Sequence, residues 1–375
     1  MLRGKVILSL MIGPVVPIPV PKAIVDVLSN VTVTNSSGSP SGFELTFAFN
    51  SNLLLNALLL LLGQVGPFIR VIIIANVNGS QEVLMDGVIT EQTNSPDLQA
   101  GTSVLSIKGT DLTAVMGIFD FTGIPYPAMP AEARVALIVA KYAPFGMIPI
   151  VIPSLFMDIP IPTKRIPIHQ GTDIAYVNKL ATDVGYVFYI TPGPVPGTNK
   201  AYWGPEIKIG VPQPALNANW DGLTNVTSIN FTFSGDSSSI PIVFIQNEET
   251  KVPIPIPIPS IGPLNPPLGL IPPFPSNFPI MRNTANLNPV QAIALGLAEA
   301  SKTADAVTGN GSLNVVKYGH ILKARGLVGV RGVGEAFNGL YYVKSVTHNI
   351  KAGEYTQDFS LTRNGLVSTL PRIPV

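Results

Sequence analysis

The chain has 375 residues, enough for two or three domains and a sizeable core. Its charged residues make up only 12%, against roughly 25% in an average soluble domain. The net charge is +1 and no Lys/Arg cluster is larger than 164–165, which argues against a nucleic-acid surface. The absence of cysteine excludes disulfides and thiolate metal sites.

Two apolar segments near the start resemble targeting or membrane signals. Residues 1–21 have the composition of a signal peptide, but prolines interrupt the apolar run and no cleavage site is clear. The leucine-rich segment 53–65 is shorter than the ~20 apolar residues of a membrane span, and it contains Asn56 and Gln64. We therefore predict a buried helix there. An apolar chain without a span is typical of a subunit of a larger assembly.

The first third of the chain reads as an antiparallel barrel with one helix across it. Residues 43–49 alternate between apolar and polar side chains, as a half-buried strand does. Asn78-Gly79 separates two β-rich runs, 68–77 and 80–92, and both turn residues tolerate positive φ, so a hairpin is predicted. Residues 103–109 add another strand.

The middle of the chain predicts a small α/β domain. Residues 131–143 have a helical pattern. The segment 172–190 reads as a helix followed at once by a strand, with Thr172 or Asp173 as the N-cap and Gly185 as the stop. The predicted apolar face of this helix consists of Ile174, Val177, Leu180 and Val184.

The last third combines barrel-type strands with one helix. Strands are predicted at 226–235 and 240–246. A helix is predicted over 290–307, with Asn288 as its cap and a stop near Gly309. Two further strands are predicted in the closing hairpin, around a Lys-Ala-Gly-Glu turn.

The proline-rich tract 252–279 interrupts these strands. In an extended chain, alternate residues direct their N–H groups to the same edge. Prolines at every second position from Pro253 to Pro259 therefore remove the donors from one edge, and such a segment can pair on one side only. A polyproline II spacer is the alternative interpretation, and the sequence leaves both open.

Several segments together resemble a known family. Residues 168–190 are similar to the core of late control protein D of contractile phages and of the hubs of valine-glycine-repeat spike proteins, in which an acidic residue opens a helix that ends in Gly-Tyr-aromatic-aromatic. The closing segment 338–365 resembles that family's final hairpin, and 69–92 with 103–116 resembles its first barrel. The motifs occur in the family's order along the chain.

The resemblance implies the structural hub of the baseplate of a contractile injection system or phage tail. Such a hub is a homotrimer that adapts the hexameric inner tube to the trimeric spike. The implied partners are further copies of itself, the spike protein, the inner tube or tube-initiator protein, and other baseplate subunits. Assembly is expected in the bacterial cytoplasm, within a phage virion or phage-tail-like particle. Because no spike domain follows the hairpin, we expect the spike to be a separate chain.

The predicted fold class is α+β and β-rich, with two tube-protein-like antiparallel β-barrels and a small α/β insert domain. The predicted domains are a first hub barrel with an N-terminal extension at 1–116, the α/β insert at 117–215, and a second hub barrel at 216–375 that the proline-rich loop 252–279 interrupts. A single-barrel tube-initiator subunit is a rival prediction, and the insert argues against it.

No catalytic, cofactor-binding or metal site is predicted, and neither a nucleic acid nor a small-molecule substrate is expected. The histidines His169, His320 and His348 lack paired metal-ligand spacing, and His348 reads as a polar residue on a strand face. There is no Gly-x-Ser-x-Gly elbow. The glycines of 329–339 resemble a phosphate loop superficially, but a strand follows them where that loop requires a helix.

The alternative function is a secreted or surface β-rich glycan-binding protein or hydrolase. Its candidate acids are Asp86, Asp111, Glu132 and Asp173, which a glycosidase would need as a pair about 5–10 Å apart. Asp111 and Asp173 read better as helix caps. The chain has only 2 tryptophans, too few to indicate a sugar-binding platform.

Overall fold

The structure is a computed structural model. It describes residues 6–49, 58, 69–97, 102–154, 159–219, 221–235, 239–246, 252–259, 265–281, 289–302 and 304–369. The strands are β1 (Val6–Gly13), β2 (Ile18–Pro19), β3 (Leu28–Ser36), β4 (Gly42–Phe49), β5 (Arg70–Val77), β6 (Ser80–Asp97), β7 (Thr102–Asp111), β8 (Met147–Val151), β9 (Val187–Pro192), β10 (Asn199–Gly204), β11 (Gln213–Asn217), β12 (Val226–Phe233), β13 (Ile242–Gln246), β14 (Pro253–Pro257), β15 (Gly269–Ile271), β16 (Val307–Asn314), β17 (Leu327–Arg331), β18 (Gly339–Lys351), β19 (Glu354–Arg363) and β20 (Leu366–Ser368).

Among the described residues, the helices are fewer than the strands. The α-helices are α1 (Lys22–Val25), α2 (Ala131–Ala140), α3 (Asp173–Asp183), α4 (Pro289–Lys302) and α5 (Val315–Tyr318). Short 3-10 helices occupy Leu112–Gly117, Ala143–Phe145 and Asp221–Leu223. No helix among the described residues is long and apolar enough to cross a membrane.

One large sheet dominates the molecule. Its 13 strands follow the order β12-β16-β19-β18-β3-β4-β7-β6-β5-β1-β2, with β17 branching from β18 and β11 pairing with β17. All pairs along the main path are antiparallel. The prediction of a β-rich α+β fold is confirmed. The division of the sheet into two barrels stays a prediction.

The pairing of β3 with β18 joins the two ends of the chain. Val31 lies opposite Ile350 and Val33 opposite His348, so residues about 300 apart in sequence are neighbours. A single apolar core continues across this junction, from Leu45 and Ile107 on the β3 side to Phe359 on the β18 side. The first and last thirds of the chain therefore share one core.

A second, smaller layer holds the middle of the chain. Strands β8, β10 and β9 form a three-stranded sheet, and α2 and α3 share a core with it that includes Val135, Val177 and Trp203. Helix α3 begins where predicted, because the Thr172 side chain accepts a hydrogen bond from the Ala175 N–H. Of the predicted apolar face, Val177 and Leu180 are buried. The domain boundaries stay a prediction.

The predicted hairpins form with the expected turns. Asn78 and Gly79 have φ values of 52° and 86° between β5 and β6, the left-handed conformations that an Asn-Gly turn needs. The closing hairpin pairs β18 with β19 from Lys351 and Glu354 onward.

Several predictions about the last third are wrong in detail. Strand β13 does not join the large sheet but pairs with β14 in a separate ribbon. Helix α4 ends at Lys302, and Gly309, the predicted stop, lies in β16, where its close contact with the Phe231 ring leaves no room for a side chain. The predicted cap Asn288 lies outside the described residues. So does the predicted leucine-rich helix, apart from Leu58, which is helical and buried.

Among the residues that the structure describes, the proline-rich strand β14 pairs on one side only. Ile254 and Ile256 lie opposite Ile245 and Val243 of β13, and the N–H of Ile258 donates to the Pro241 carbonyl at 2.9 Å. The isoleucine donors therefore face β13 and the proline positions face outward. For 253–257 the structure confirms the one-sided strand over the polyproline spacer.

Candidate functional site

One face of the large sheet is polar over eight successive strands, β12, β16, β19, β18, β3, β4, β7 and β6. Residues that pair directly across an antiparallel sheet point to the same face, so the register defines this surface, which we call the polar face. Its rows, each running across the strands, are Asn230, Asn310, Ser360, Ser345 and Ser36; Ser228, Ser312, Asp358, Thr347 and Thr34; Asn314, Thr356, Asn349, Thr32, Glu44, Lys108 and Glu91; and Lys351, Asn30, Thr46, Ser106 and Thr93.

The chemistry of the polar face is hydroxyl and amide rather than charge. Its charged members are Asp358, Glu44, Glu91, Lys108 and Lys351, so acids and bases nearly cancel, and all others are Ser, Thr or Asn. Short side-chain hydrogen bonds connect neighbouring strands, as from Ser106 to Glu44 at 2.8 Å and from Asn349 to Asp358 at 2.7 Å. Such a surface is well hydrated and offers a macromolecule neither an apolar patch nor a charged stripe.

On the six inner strands of this set, β16, β19, β18, β3, β4 and β7, the opposite face is the core. Val31, Leu45, Phe359 and Leu361 alternate with the polar residues and are buried. Sequence reasoning missed the polar face, although its signal was present as Ser, Thr and Asn alternating with apolar residues, for example over 30–36. The surface becomes visible only when the pairing register of the strands is known, because the register places these short patterns side by side.

The proline-rich apolar tracts are a second surface. We use this name for residues 14–21, 148–168 and 252–279, as far as the structure describes them. Many of their large side chains are exposed, up to 74% for Val16 and 86% for Phe274. The other exposed large apolar residues of the tracts are Ile18, Ile148, Ile152, Ile159, Ile161, Ile166, Ile168, Val252, Ile254, Leu270, Ile271 and Phe278. Exposed apolar surface of this extent is typical of contact with partner chains.

A buried ion pair connects the large sheet to the α/β layer. The guanidinium of Arg70 on β5 donates two hydrogen bonds of 2.7 Å to Asp86 on β6, and both side chains are almost fully buried. The same guanidinium donates to the carbonyls of Phe145 at 2.8 Å and Gly197 at 3.0 Å. Asn199 Nδ2 donates to Asp86 Oδ2 at 2.8 Å. Asp86 is therefore a structural counter-ion and not a free acid.

Asp173 is not the helix cap that the sequence predicted. It is fully buried at the first turn of α3, where Lys141 Nζ lies 2.6 Å from its Oδ2 and the Tyr142 hydroxyl donates to it at 2.7 Å. His169 Nε2 lies 3.5 Å from its Oδ1. Burial lowers the pKa of His169, against the opposing pull of the Asp173 charge. Burial and the Asp173 hydrogen bond raise the pKa of Tyr142. Both pKa shifts favour the neutral forms of His169 and Tyr142.

The remaining predicted acids have structural partners as well. Asp111 caps the 3-10 helix that follows β7, as predicted, and accepts from the N–H groups of Thr113 at 3.0 Å and Ser41 at 2.8 Å. Glu132 accepts from the N–H and hydroxyl of Ser154, both at 2.9 Å. Each of the four candidate acids is thus held by structural partners of its own.

The histidines are also dispersed. His348 lies on β18 as predicted, but on its core side, where Nδ1 is 2.7 Å from the Tyr355 hydroxyl. Burial lowers its pKa to about 3. His320 lines a surface cleft of about 470 Å³ beside Lys323, which is paired with Glu82 at 2.6 Å. Over the part of the chain that the structure describes, no group of three or more His, Asp or Glu side chains is arranged to hold a metal.

The glycine-rich segment before the closing hairpin is not a phosphate loop. Gly332 and Gly334 have positive φ and lie between β17 and β18, and a strand rather than a helix follows. No helix N-terminus is therefore available to hold a phosphate at these glycines.

The fold defines a class of protein. No protein-family model matches the chain, and no curated protein matches it in sequence. Solved structures match it in fold, and the fold is that of phage tail proteins. The resemblance that the motifs indicated is thus confirmed at the level of the fold.

Three of the similar solved structures align with almost the whole chain. The tail protein from Neisseria meningitidis MC58 matches with a TM-score of 0.62 at 12% identity, over 97% of this chain and 98% of that one. The 43 kDa tail protein of prophage MuSo2 from Shewanella oneidensis gives a TM-score of 0.61 at 13% identity, over 96% and 98%. A structure of the Francisella PdpA–VgrG complex gives 0.59 at 8% identity, over 100% of this chain and 55% of that one. At such identities the likeness is one of fold and not of activity.

Proposed function

We propose that this protein is the structural hub of the baseplate of a phage tail or contractile injection system. In this proposal it forms a homotrimer that joins a hexameric inner tube to a trimeric spike. The observation that carries it is the polar face, an extended neutral surface in a chain with the fold of phage tail proteins. Such a surface suits the wall of a water-filled passage better than a binding site.

The sheet supports the two-barrel form of this hub. Strands β3 to β7 belong to the first third of the chain and β16 to β19 to the last, and the two sets meet at the β3–β18 pair. Each set carries a share of the polar face. Two similar units per chain would give a trimer six units around its axis, which matches a six-fold tube to a three-fold spike.

The apolar tracts are proposed to contact the neighbouring baseplate subunits, the spike and the tube. Proline-rich tracts expose apolar side chains and few backbone donors, so they suit shape-based packing. The residues 252–280 contain no charged side chain, as expected of the centre of an interface. The particle is proposed to assemble in the bacterial cytoplasm.

The role is proposed to be structural and not enzymatic. Each of the candidate acids Asp86, Asp111, Glu132 and Asp173 is held by partners within the fold. A glycosidase requires two acids on opposite sides of one bond. Nothing in the comparisons supports the glycan-binding or hydrolase alternative.

Light scattering of the purified protein tests the proposal. The expected result is three times the chain mass of 39.7 kDa, or a monomer that becomes a three-to-three complex when a trimeric spike protein is added. A protein that stays monomeric and does not bind the spike protein contradicts the proposal.

A matched pair of variants tests the apolar tracts. Phe274→Asp changes a residue that is 86% exposed in a tract, and Phe119→Asp changes one that is 60% exposed outside the tracts. Both should fold, since neither side chain contributes to the core. In particles isolated by sedimentation, the Phe119→Asp protein should be present and the Phe274→Asp protein should be absent. Equal incorporation of both variants argues against the tract as a contact.

A further inference from the structure

The proline-rich tract 252–279 takes part in a second, small sheet. Strand β13 pairs with β14 along one edge, and along its other edge it pairs in parallel with residues 277–281. The hydrogen bonds of this parallel pairing run from the Ile240 N–H to the Asn277 carbonyl at 3.0 Å, from the Ile242 N–H to the Pro279 carbonyl at 2.9 Å, and from the Met281 N–H to the Ile242 carbonyl at 3.0 Å. We call these three strands the small sheet.

Helix α4 covers one face of the small sheet. Val243 and Ile258 form a core with Ala292 of the helix. The helix approaches so closely that a Cβ at Gly296 would lie 2.7 Å from Ile258 and 2.8 Å from Val243. Because this packing fixes the strands against the helix, it also fixes which backbone groups lie at the edges of the small sheet.

The opposite face of the small sheet is apolar and exposed. Ile242 lies opposite Pro257 on one side and opposite Ile280 on the other, and residues opposed in register share a face. By alternation, Phe278 and the other prolines of β14 lie on this face as well. Phe278 is 53% exposed and Ile280 is 62% exposed. The residues 252–280 contain no charged side chain, so most of this face is uncharged.

The two outer edges of the small sheet differ in their backbone groups. At β14 the isoleucine donors face β13, and the outer edge holds prolines that have no N–H. In the strand 277–281, Asn277, Pro279 and Met281 direct their bonds to β13. By alternation, Phe278 and Ile280 direct their N–H and C=O groups outward. No hydrogen bond among the described residues uses these outward groups.

We propose that the edge at 277–281 binds an extended segment of a different baseplate subunit, which adds a fourth strand to the small sheet. This inference rests on the proposed hub and states how its tract 252–279 makes contact. An incoming strand would pair with the outward N–H and C=O groups of Phe278 and Ile280, whose two-residue spacing is that of a sheet edge. The proline within this strand faces inward, so it removes no outward donor.

The exposed face defines the chemistry of the incoming segment. Its alternate residues would lie beside Phe278 and Ile280, as neighbours across a sheet do. A charged side chain at those positions would lose water without gaining a partner, because the tract supplies no charge. The segment is therefore expected to be uncharged, with bulky apolar side chains at alternate positions.

A second copy of this chain does not suit the edge. Pairing of the edge with itself creates a two-fold contact, which the proposed three-fold hub does not contain. Pairing with the other edge of the small sheet is blocked, because the prolines of β14 remove the donors that such a pair needs. The small sheet is therefore assigned a chain of different sequence as its occupant.

A proline substitution tests the edge. Ile280→Pro removes the outward N–H and none of the bonds to β13, whereas Ile280→Ala shortens the same side chain and keeps the N–H. In particles isolated by sedimentation, the proline protein should be present at about a tenth of the level of the alanine protein or less, because an acceptor of the partner is left unpaired. Equal incorporation of the two proteins overturns the proposal.

The second outward position provides a repeat of this comparison. Phe278→Pro and Phe278→Ala should differ in incorporation in the same way. Thermal melts of the purified variants show whether each proline protein is folded as well as its alanine counterpart. If both proline proteins melt at a lower temperature, the cross-link described next decides between the outcomes.

Photo-cross-linking identifies the occupant. The reactive amino acid p-benzoylphenylalanine takes the place of Phe278, and assembled particles are irradiated. The expected adduct joins residue 278 to an uncharged, apolar segment of a different subunit, mapped by mass spectrometry. The same replacement at Phe119, which is 60% exposed outside the tracts, should not reach that segment. An adduct to a second copy of this chain, an adduct to a charged segment, or no adduct overturns the proposal.

The outcomes separate this inference from the hub itself. A trimeric protein that enters particles, gives no cross-link from residue 278 and tolerates both prolines overturns the strand addition and leaves the hub standing. A natural protein that stays monomeric and is absent from particles overturns both.

Discussion

The buried Arg70–Asp86 pair offers the sharpest test of how the two layers are held together. Asp86→Asn keeps the shape of the side chain and removes its charge. The guanidinium of Arg70 keeps its bonds to the carbonyls of Val15, Phe145 and Gly197, but it loses its counter-ion in a site with almost no solvent. Removing one partner of a buried pair in this way costs about 3–5 kcal/mol.

The matched control makes the same change on the surface. Lys179 and Asp183 form a pair on α3 at 2.6 Å, with both side chains about half exposed, so Asp183→Asn should cost no more than ~0.5 kcal/mol. The two free energies of unfolding are measured by urea titration followed by circular dichroism. If the stability losses of Asp86→Asn and Asp183→Asn differ by less than about 1 kcal/mol, the buried pair does not stabilise the fold as proposed.

A double variant separates charge from shape. Arg70→Met with Asp86→Leu removes both charges and fills the site with apolar atoms. It should be more stable than Asp86→Asn alone, because an unpaired buried charge costs more than the absence of the pair. A double variant that is less stable than the single one would show that the carbonyl contacts of Arg70 matter more than its charge.

Two further predictions concern pH and close packing. Because burial lowers the pKa of His348 to about 3, below an unfolded value near 6.5, its stabilising effect is complete above about pH 6.5. That effect is lost as the pH falls towards 3, by about 1.4 kcal/mol per pH unit. In urea titrations from pH 6 to about 4.5, the free energy of unfolding of His348→Gln should therefore fall less steeply with decreasing pH than that of the natural protein. Equal slopes would contradict this prediction. Gly185→Ala places a Cβ 2.4 Å from that of Ala298 at a φ of +71°, so it should cost about 2–4 kcal/mol. Gly353→Ala, at a φ of +85° in open space, should cost only about 1 kcal/mol; equal losses in thermal melts would contradict the α3–α4 contact.

Local chemistry made parts of the fold predictable. The Asn78-Gly79 turn requires two residues that tolerate positive φ, and the sequence offers them between two β-rich runs. The start of α3 was predictable for a similar reason, since a threonine hydroxyl satisfies an N–H at the first turn. The alternating prolines of β14 predicted its single paired edge, because a missing donor does not depend on the rest of the fold.

The ends of helices and the roles of buried charges were less predictable. Helix α4 was expected to continue to residue 307, but β16 begins there and pairs with β12 and β19, which lie far away in sequence. Asp173 stands where an N-cap is plausible. Its neighbours Lys141 and Tyr142 come from the end of another helix, so its buried role depends on how the two helices pack.

The sequence by itself determined the alternation of its strands, the positions of its turns and the apolar character of its proline-rich tracts, because each depends on residues close together in the chain. Tertiary structure alone decided that β18 pairs with β3 across about 300 residues, and thereby that short runs of Ser, Thr and Asn align into one polar face. Register is a property of two strands, and a one-residue shift in either of them would have turned those side chains into the core.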